Sequence, residues 1–429
     1  MKKYAELSHQ ELVREKGVLL EKLNEYKSEG LNLNMSRGNP GADQLAMSEG
    51  LLTCVATSAD CISRGTDTRN YGPPTMLEGL PEMRDIFGAI LGVDAARVIV
   101  GGNSSLSMMY DAFSRAMLHG VLPGMTPWMR QDKIKFLCPS PGYDRHFTIC
   151  ERFGIEMITV PMTACGPDMD AVEELVKDPA VKGMWCTPKY SNPTGIVYSD
   201  ETVLRLAALN PAAPDFRIFW DNAYAVHVFR GDDRLMNIME ALERNGKEDM
   251  IYMFASSSKI SFAGSGVAAF AASAANIAEC RRWLFAQTIG PDKVNQLRHT
   301  KFYGDIKGVE SHMKRHAELV RPKFDAVMAA FDSGLAGLGI ADWSNPSGGY
   351  FISLNVMDGC AKRVNDLMKD AGVVLTPAGA TFPYGKDPRD ANLRIAPTFP
   401  PLGELKMASE ILCVCVRLAA CERLLDARA

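Results

Sequence analysis

Four short polar segments hold the residue types that acid–base and covalent chemistry require. They are the loop Gly101–Ser105, the turn around Asn192, the acid and phenol pair Asp221 and Tyr224, and Lys259 after three serines. Glycines and hydroxyls before a helix can cradle a phosphate. A lysine with a lowered pKa can act as a nucleophile or general base. Each segment alone is also compatible with an ordinary turn, cap or surface residue, so the combination carries the prediction.

Each of these segments follows a short apolar run that predicts a strand. The six predicted strands are Val98–Val100, Ile134–Leu137, Glu156–Val160, Gly183–Cys186, Arg217–Trp220 and Met250–Phe254. Helical periodicity separates them, for example over Leu77–Leu91 and Ser105–Leu118. Strands alternating with helices predict an α/β fold with a mainly parallel, doubly wound sheet. Ligands of such sheets lie at the carboxyl ends of the strands, where the four segments are expected.

The length of 429 residues favours two domains. After residue 305 the pattern changes to a long helix, three short strands and a closing helix, which predicts a smaller α+β domain. Near the start, Ser8 and Glu11 form a capping-box pattern that opens a helix to about Glu25. We predict a segment 1–50 that contributes to the small domain, a large domain over 51–305 and a small domain over 306–429.

Composition narrows the class of protein. The net charge of −4 and the scattered basic residues argue against nucleic-acid binding. No apolar stretch reaches the ~18 residues of a membrane span, and the N-terminus lacks signal-peptide features. The eleven cysteines have no CxxC pattern, which predicts neither a disulfide framework nor a metal site and suits the reducing cytoplasm.

The ordered motifs resemble those of a known family over nearly the whole chain. They are SRGNP, RNYGPP, GGNSS, PSPGYD, SNPTG, DNAY, SSSK and LRIAP. This set resembles the class I/II aminotransferases among the fold-type-I pyridoxal-phosphate (PLP) enzymes. It also looks like the divergent branch related to MocR-type aminotransferase domains, which includes aspartate aminotransferases. The resemblance implies pyridoxal 5'-phosphate as cofactor, an amino acid and a 2-oxo acid as substrates, and a homodimer with shared active sites. It favours aspartate and 2-oxoglutarate in a ping-pong reaction.

The resemblance also implies roles for residues that match the family motifs. Lys259 would be the Schiff-base lysine and would move the Cα proton. Asp221 would pair with the pyridine nitrogen, while Asn192 and Tyr224 would bind the phenolic oxygen of the ring. Tyr143 would stack on the ring.

Other matched residues would bind the phosphate and the substrate. The phosphate ligands would be Ser104, Ser105 and Ser256, with Tyr71 reaching the site of the neighbouring subunit. Arg394 would clamp the substrate α-carboxylate in a bidentate manner. Gly38 would line the same pocket through its backbone.

The chain departs from the family pattern at two places. Many relatives carry a phosphate-binding arginine where this chain has Val267, and Arg69 is a candidate to replace its charge. The reader of the distal substrate carboxylate also lacks a clear match. The candidates for it are Arg37, Lys293, Arg298 and Lys301.

Alternative functions remain open at this level. The same scaffold supports C–S lyases, β-decarboxylases and ligand-sensing proteins. Ser256 and Lys259 match the SxxK motif of β-lactamases, but the companion SDN and KTG motifs do not occur. His312 and His316 have the i,i+4 spacing of a metal pair, yet their charged context favours a solvated helix face and no metal site.

Overall fold

A computed structural model describes residues 2–428. Within that range the chain forms thirteen α-helices and fifteen strands. The helices are α1 (His9–Ser28), α2 (Ala42–Ala46), α3 (Pro81–Leu91), α4 (Ser105–His119), α5 (Asp144–Arg152), α6 (Met169–Leu175), α7 (Asp200–Ala208), α8 (Ile238–Arg244), α9 (Ala274–Gln287), α10 (Lys293–Tyr303), α11 (Ile306–Gly334), α12 (Ala361–Asp370) and α13 (Leu402–Asp426). The strands are β1 (Leu33–Asn34), β2 (Ile62–Ser63), β3 (Thr66–Asp67), β4 (Val98–Val100), β5 (Lys135–Ser140), β6 (Glu156–Thr163), β7 (Gly166–Pro167), β8 (Val181–Cys186), β9 (Arg217–Asp221), β10 (Ile251–Ser256), β11 (Ala268–Ala272), β12 (Ala341–Trp343), β13 (Ile352–Val356), β14 (Val373–Val374) and β15 (Asn392–Ile395).

The main sheet has the order β4-β11-β10-β9-β8-β5-β6-β7. Strands β10, β9, β8, β5 and β6 are parallel neighbours, and only β11 and β7 run against their neighbours. Consecutive residues of a strand point to opposite faces of the sheet. Ile218 and Phe219 of β9 are both buried and belong to different apolar clusters, so both faces of the sheet are covered. The predicted α/β fold with a mainly parallel, doubly wound sheet is confirmed.

Strand β11 was not predicted from the sequence. Four of its five residues are alanines, and this composition lacks the β-branched side chains that indicate strands. The strand lies between β10 and β4 and is antiparallel to both. It therefore brings β4 into the sheet in the same direction as β10, so that the loops after both strands open on one edge.

The predicted helix Leu77–Leu91 is shorter than expected. Helix α3 starts at Pro81, since proline favours the first position of a helix and lacks the amide that interior positions donate. Gly92 ends the helix with a left-handed φ of 71°. Helix α1 begins with the predicted capping box, in which the Glu11 amide donates to Ser8 Oγ and the Ser8 amide donates to Glu11 Oε2.

A second body surrounds the antiparallel sheet β12-β13-β15. Helices α1, α11, α12 and α13 pack there around one apolar cluster. Strand β1 pairs in parallel with β14, which ties the N-terminal segment to the C-terminal third. The limits at residues 50 and 305 stay a prediction. Over residues 2–428, none of the helices has both the length and the apolar character to cross a bilayer.

Candidate active site

The carboxyl ends of β4, β5, β8, β9 and β10 surround a cavity of about 620 Å³. This size suits a small organic ligand. Most of the predicted site residues line the cavity: Arg37, Gly38, Ser104, Ser105, Tyr143, Asn192, Asp221, Tyr224, Ser256, Lys259 and Arg394. Tyr71 does not line it and is 66% exposed on the surface of its own chain. The candidates Arg69, Lys293, Arg298 and Lys301 also lie outside the cavity lining.

Asp221, the last residue of β9, has one satisfied carboxylate oxygen and one free oxygen. His146 Nε2 lies 3.0 Å from Asp221 Oδ2, and the His146 ring stacks on Trp185 with centroids 4.1 Å apart. Asp221 Oδ1 is buried and has no hydrogen-bond partner among residues 2–428. Because an unpaired buried acceptor is costly, this oxygen is suited to an N–H donor on a ligand.

Lys259 follows β10 in the loop next to Asp221. Phe254 of β10 is the register partner of Asp221, so Lys259 lies five residues beyond that pair. Burial lowers the pKa of Lys259, and the charge of Asp221 opposes this shift. Lys259 Nζ lies 5.1 Å from the centre of the Tyr224 ring. A buried amine with a lowered pKa loses its proton more readily, as a nucleophile or general base must.

Two phenols and an amide complete this part of the cavity. We give the name ring end to the part that is lined by Tyr143, Asn192, Asp221, Tyr224, Lys259 and Arg394. Burial raises the pKa of Tyr143 to about 12, and Asp221 adds to the effect. Burial also raises the pKa of Tyr224, with smaller contributions from Tyr143 and Asp221. Both phenols therefore stay protonated and can donate a hydrogen bond. Asn192 Oδ1 lies 3.4 Å from Arg394 Nη1.

Serines and amides form the opposite part, which we call the phosphate end. Ser104 caps α4, and its Oγ accepts a hydrogen bond from the Ser107 amide. Ser256 Oγ and Ser258 Oγ are 2.7 Å apart, and Ser258 Oγ donates to the Asn103 carbonyl. Ser258 and Asn103 also line the cavity but were not predicted individually. The signal for both was present, since each lies inside a quoted motif.

At the phosphate end, the position at which many relatives carry a phosphate-binding arginine is occupied by the uncharged Val267. Val267 is 1% exposed and belongs to the core of the large sheet. Arg69 does not line the cavity; it forms an ion pair with Asp67 and donates to Ser58 Oγ. Within one chain, the structure therefore does not support the prediction that Arg69 replaces the charge of the family arginine.

Arg394 on β15 is buried and already has an acidic partner. Its Nη1 lies 2.7 Å from Asp144 Oδ1, its Nε donates to Thr376 Oγ1 at 3.3 Å, and its guanidinium lies 5.1 Å from the Phe351 ring centre. Gly38 packs directly on Phe351, where any side chain would collide with the ring. Asp144 was missed as a site residue, although it ends the motif PSPGYD.

The four candidates for the distal carboxylate lie in different places. Arg37 lines the cavity, whereas Lys293, Arg298 and Lys301 do not line the cavity of their own chain. Lys301 pairs with Asp60. Lys293 is 6% exposed and packs beside Gly72. A further cation that the sequence did not suggest, Arg145, also lines the cavity.

Sequence and structure comparisons decide the family. The family described as Aspartate amino-transferase matches residues 7–428. The chain belongs to the aspartate aminotransferase family. The resemblance found in the motifs is thereby confirmed, and the chain is an aminotransferase.

The alignments with individual relatives span almost the whole length of the aminotransferase. It is 48% identical over 405 residues to a putative aminotransferase of Mycolicibacterium smegmatis, covering 94% of each chain. It is 46% identical over 406 residues to the aspartate aminotransferase of Corynebacterium glutamicum, covering 94% of this chain and 92% of that one. The crystal structure of an aspartate transaminase from C. glutamicum superposes with a TM-score of 0.93 at 44% identity, covering 97% of this chain and 99% of that chain.

The family implies PLP as cofactor, and the cavity of this aminotransferase fits that group. The cavity contains a buried acceptor without a partner, Asp221 Oδ1, which a protonated ring nitrogen would satisfy, and the amine of Lys259, which could bind an aldehyde. The α-aminoadipate aminotransferase LysN of Thermus thermophilus, solved with N-(5'-phosphopyridoxyl)-L-leucine, has the same fold with a TM-score of 0.72 at 19% identity, covering 96% of each chain. The serines of the phosphate end supply neutral donors for a phosphate.

Behind Lys259, the aminotransferase has a buried polar network that the sequence did not reveal. The Lys259 carbonyl accepts from Tyr350 Oη at 3.2 Å, and His227 Nε2 lies 3.3 Å away. Gln44 Nε2 donates to Tyr350 Oη and lies 3.2 Å from His316 Nδ1. This network fixes the backbone of the lysine segment from its inner side.

The two histidines of α11 correct a prediction. His312 and His316 are each 2% exposed, so the predicted solvated helix face is wrong. Their Nε2 atoms are 3.0 Å apart, and His312 Nε2 also lies 3.0 Å from the Ile260 carbonyl. Burial lowers the pKa of His312 to about 4 and that of His316 to about 3. Within residues 2–428, no cluster of three or more metal-ligating side chains occurs.

Proposed function

We propose that the chain is a PLP-dependent aspartate aminotransferase that transfers the amino group of L-aspartate to 2-oxoglutarate by a ping-pong mechanism. The main support is that the free, buried oxygen of Asp221 shares one cavity with Lys259 and Arg394. The relative from C. glutamicum that is named aspartate aminotransferase supports the choice of substrate.

At the ring end, we assign the cofactor contacts to four residues. Asp221 accepts from the ring nitrogen and keeps it protonated. Asn192 and Tyr224 hydrogen-bond the phenolic oxygen, and Tyr143 lies against the face of the ring. When bound, PLP supplies an electron-accepting ring that stabilises negative charge at the amino-acid Cα. This property depends on Asp221, because its negative charge keeps the ring nitrogen protonated.

At the phosphate end, hydroxyls and helix amides bind the anion. Ser104, Ser105 and Ser256 donate together with the free amides in the first turn of α4, whose dipole also favours an anion. In the proposed homodimer, Tyr71 of the partner subunit adds a further donor. The high exposure of Tyr71 on its own chain is compatible with such a role.

Lys259 has two tasks in this proposal. Its amine holds the cofactor before substrate binds, and the freed amine then takes the proton from the substrate Cα. The lowered pKa of the buried lysine favours the neutral amine that accepts this proton. The 2-oxo acid product leaves before the second 2-oxo acid enters, because both acids need the same clamp at Arg394.

Substrate binding relies on arginine. Arg394 pairs with the α-carboxylate through its planar guanidinium, and the Gly38 backbone lines the same place. Arg37 is exposed at the cavity wall and has no ion pair among the described residues, so we assign it to the distal carboxylate. We place the enzyme in the cytoplasm, since its eleven cysteines are all free thiols over the described chain.

The test is a panel of L-amino acids assayed with 2-oxoglutarate, with glutamate and the new keto acid both quantified. We expect aspartate to give the highest kcat/KM. Lys259→Ala should lower kcat roughly 10²- to 10⁴-fold, the usual contribution of a general base. Arg37→Ala should raise the KM for aspartate roughly tenfold, as loss of a charged hydrogen bond does, and leave that for alanine unchanged.

Two outcomes would contradict the proposal. If no donor turns over while the cofactor is bound, the chain is a ligand-sensing protein. If amino acids are consumed with release of ammonia or carbon dioxide instead of glutamate formation, it is a lyase or decarboxylase.

A further inference from the structure

Arg394 is neutralised by a carboxylate of its own chain. Asp144 Oδ1 lies 2.7 Å from Arg394 Nη1, and Arg394 is only 8% exposed. Thr376 Oγ1 accepts from Nε, while no residue of the described chain accepts from Nη2. A substrate carboxylate that binds the guanidinium through Nη1 and Nη2 therefore meets Asp144 at Nη1.

One buried guanidinium cannot neutralise two carboxylates at once. Two negative charges within a few ångströms of each other repel strongly where water is scarce. Asp144 and an incoming carboxylate thus compete for one cation. Binding of the acid becomes an exchange of one anion for another.

The structure indicates which of the two partners moves. Arg394 lies on β15, which pairs with the central strand β13, and its buried guanidinium is held by Thr376 Oγ1 and the ring of Phe351. The side chain of Asp144 is 31% exposed and lies in the first turn of α5. An acidic group there is stabilised by the helix dipole and by water when it leaves the arginine. Asp144 can therefore swing out, whereas Arg394 stays.

We propose that Asp144 is an internal carboxylate that occupies the Arg394 clamp in the empty enzyme and is displaced by the substrate carboxylate. This inference rests on the proposed function, because it takes Arg394 as the site of the α-carboxylate. Asp144 then sets specificity. A ligand without a carboxylate leaves the clamp closed, and a ligand with one gains only the difference between two ion pairs.

The experiment measures binding of maleate, a dicarboxylate without an amino group, to the PLP-loaded enzyme by calorimetry. Asp144→Asn keeps the size of the side chain and removes its charge. We expect the Kd of maleate to fall about fivefold or more, corresponding to about 1 kcal/mol for a lost ion-pair competitor. Asp144→Glu restores the competing charge and should return the Kd to within about twofold of the wild type.

Controls separate this inference from the proposed function. Asp358→Asn removes an exposed ion pair with Arg389 on the surface and should leave the Kd unchanged. Arg394→Ala should weaken maleate binding at least about tenfold. If it does not, the carboxylate binds elsewhere and the assignment of Arg394 fails. If Arg394→Ala weakens binding but Asp144→Asn leaves the Kd equal or higher, Asp144 only orients the arginine and the exchange is wrong.

Discussion

At the ring end of the cavity the carboxylate of Asp221 and the guanidinium of Arg394 each have a side-chain partner in the same chain, whereas the serines and Asn103 of the phosphate end are neutral. Asp221 lies beside His146, and Arg394 is paired with Asp144. The phosphate end offers Ser104, together with hydroxyls that bond to each other. The difference indicates separate tasks. In the proposed function, the ring end responds to charges that appear and disappear during turnover, while the phosphate end holds an anion that takes no part in the proton transfers.

The largest effect in this comparison is expected at Asp221. In Asp221→Asn a neutral amide replaces the carboxylate, so the ring nitrogen loses the negative charge that keeps it protonated. We expect kcat to fall roughly 10²- to 10³-fold, as for removal of one preorganised electrostatic contact. The Kd of PLP should change by a smaller factor. Steady-state kinetics and reconstitution of the cofactor-free enzyme measure the two quantities.

His146 provides a graded comparison at the same end. His146→Gln keeps a hydrogen-bond donor near Asp221 but loses the stacking on Trp185. Its kcat should fall roughly tenfold, between the wild type and Asp221→Asn. Equal kcat in Asp221→Asn and the wild type would show that the charge at this end is not used in catalysis.

The ring end was largely predictable from the sequence because its main residues follow strands. Asp221 comes directly after one apolar run and Lys259 five residues after the end of another, and parallel strands bring such positions to one edge. Asp144 is the first residue of α5 and ends the motif PSPGYD, whereas His146 lies further along α5, and only the docking of this helix against the sheet carries it to the site. No local pattern reports that docking.

Helix α11 shows how local charge can mislead. Lys314 and Arg315 are exposed, and they suggested a solvated face for their neighbours. Yet His312 and His316 are four residues apart and share the opposite, buried face. Their partners, such as Gln44 and the Ile260 carbonyl, come from distant parts of the chain. Tertiary packing, which a single sequence does not display, decided their environment.

A smaller effect of the opposite kind is expected at the phosphate end. Ser256→Ala and Ser258→Ala each remove one hydroxyl from the anion site. The Kd of PLP should rise roughly 10-fold in each variant, in line with about 1.5 kcal/mol for a hydrogen bond to a charged group. The kcat at saturating cofactor should change by a smaller factor, which reverses the pattern of Asp221→Asn.

Ser107→Ala is the matched control for these variants. Ser107 lies on α4, the helix that begins at Ser105 of the phosphate end, but does not line the cavity. Its side chain should therefore leave the Kd of PLP unchanged. A kcat loss in the two serine variants larger than their change in Kd would remove the proposed division between the two ends.

The smallest expected effect concerns Tyr71, and it tests whether the partner subunit supplies a further hydrogen-bond donor to the phosphate end. With Val267 apolar and Arg69 paired to Asp67, one chain offers only neutral donors there. If Tyr71 of the partner subunit completes the site, Tyr71→Phe should raise the Kd of PLP roughly fivefold through loss of one hydrogen bond. The fold of the variant should be unaffected because the side chain is 66% exposed.

Dilution distinguishes a donor from the partner from one within the chain. If the proposed homodimer forms and shares the site, PLP should bind the wild type less tightly at protein concentrations at which the subunits separate, because each site then loses the donor of the partner subunit. In Tyr71→Phe this dependence on concentration should be weaker, since the donor is already absent. Tyr110→Phe, another exposed tyrosine outside the cavity, should behave like the wild type. PLP affinity that is independent of dilution in all three proteins would mean that each chain binds the phosphate alone, and the neutral end would then be complete as it stands.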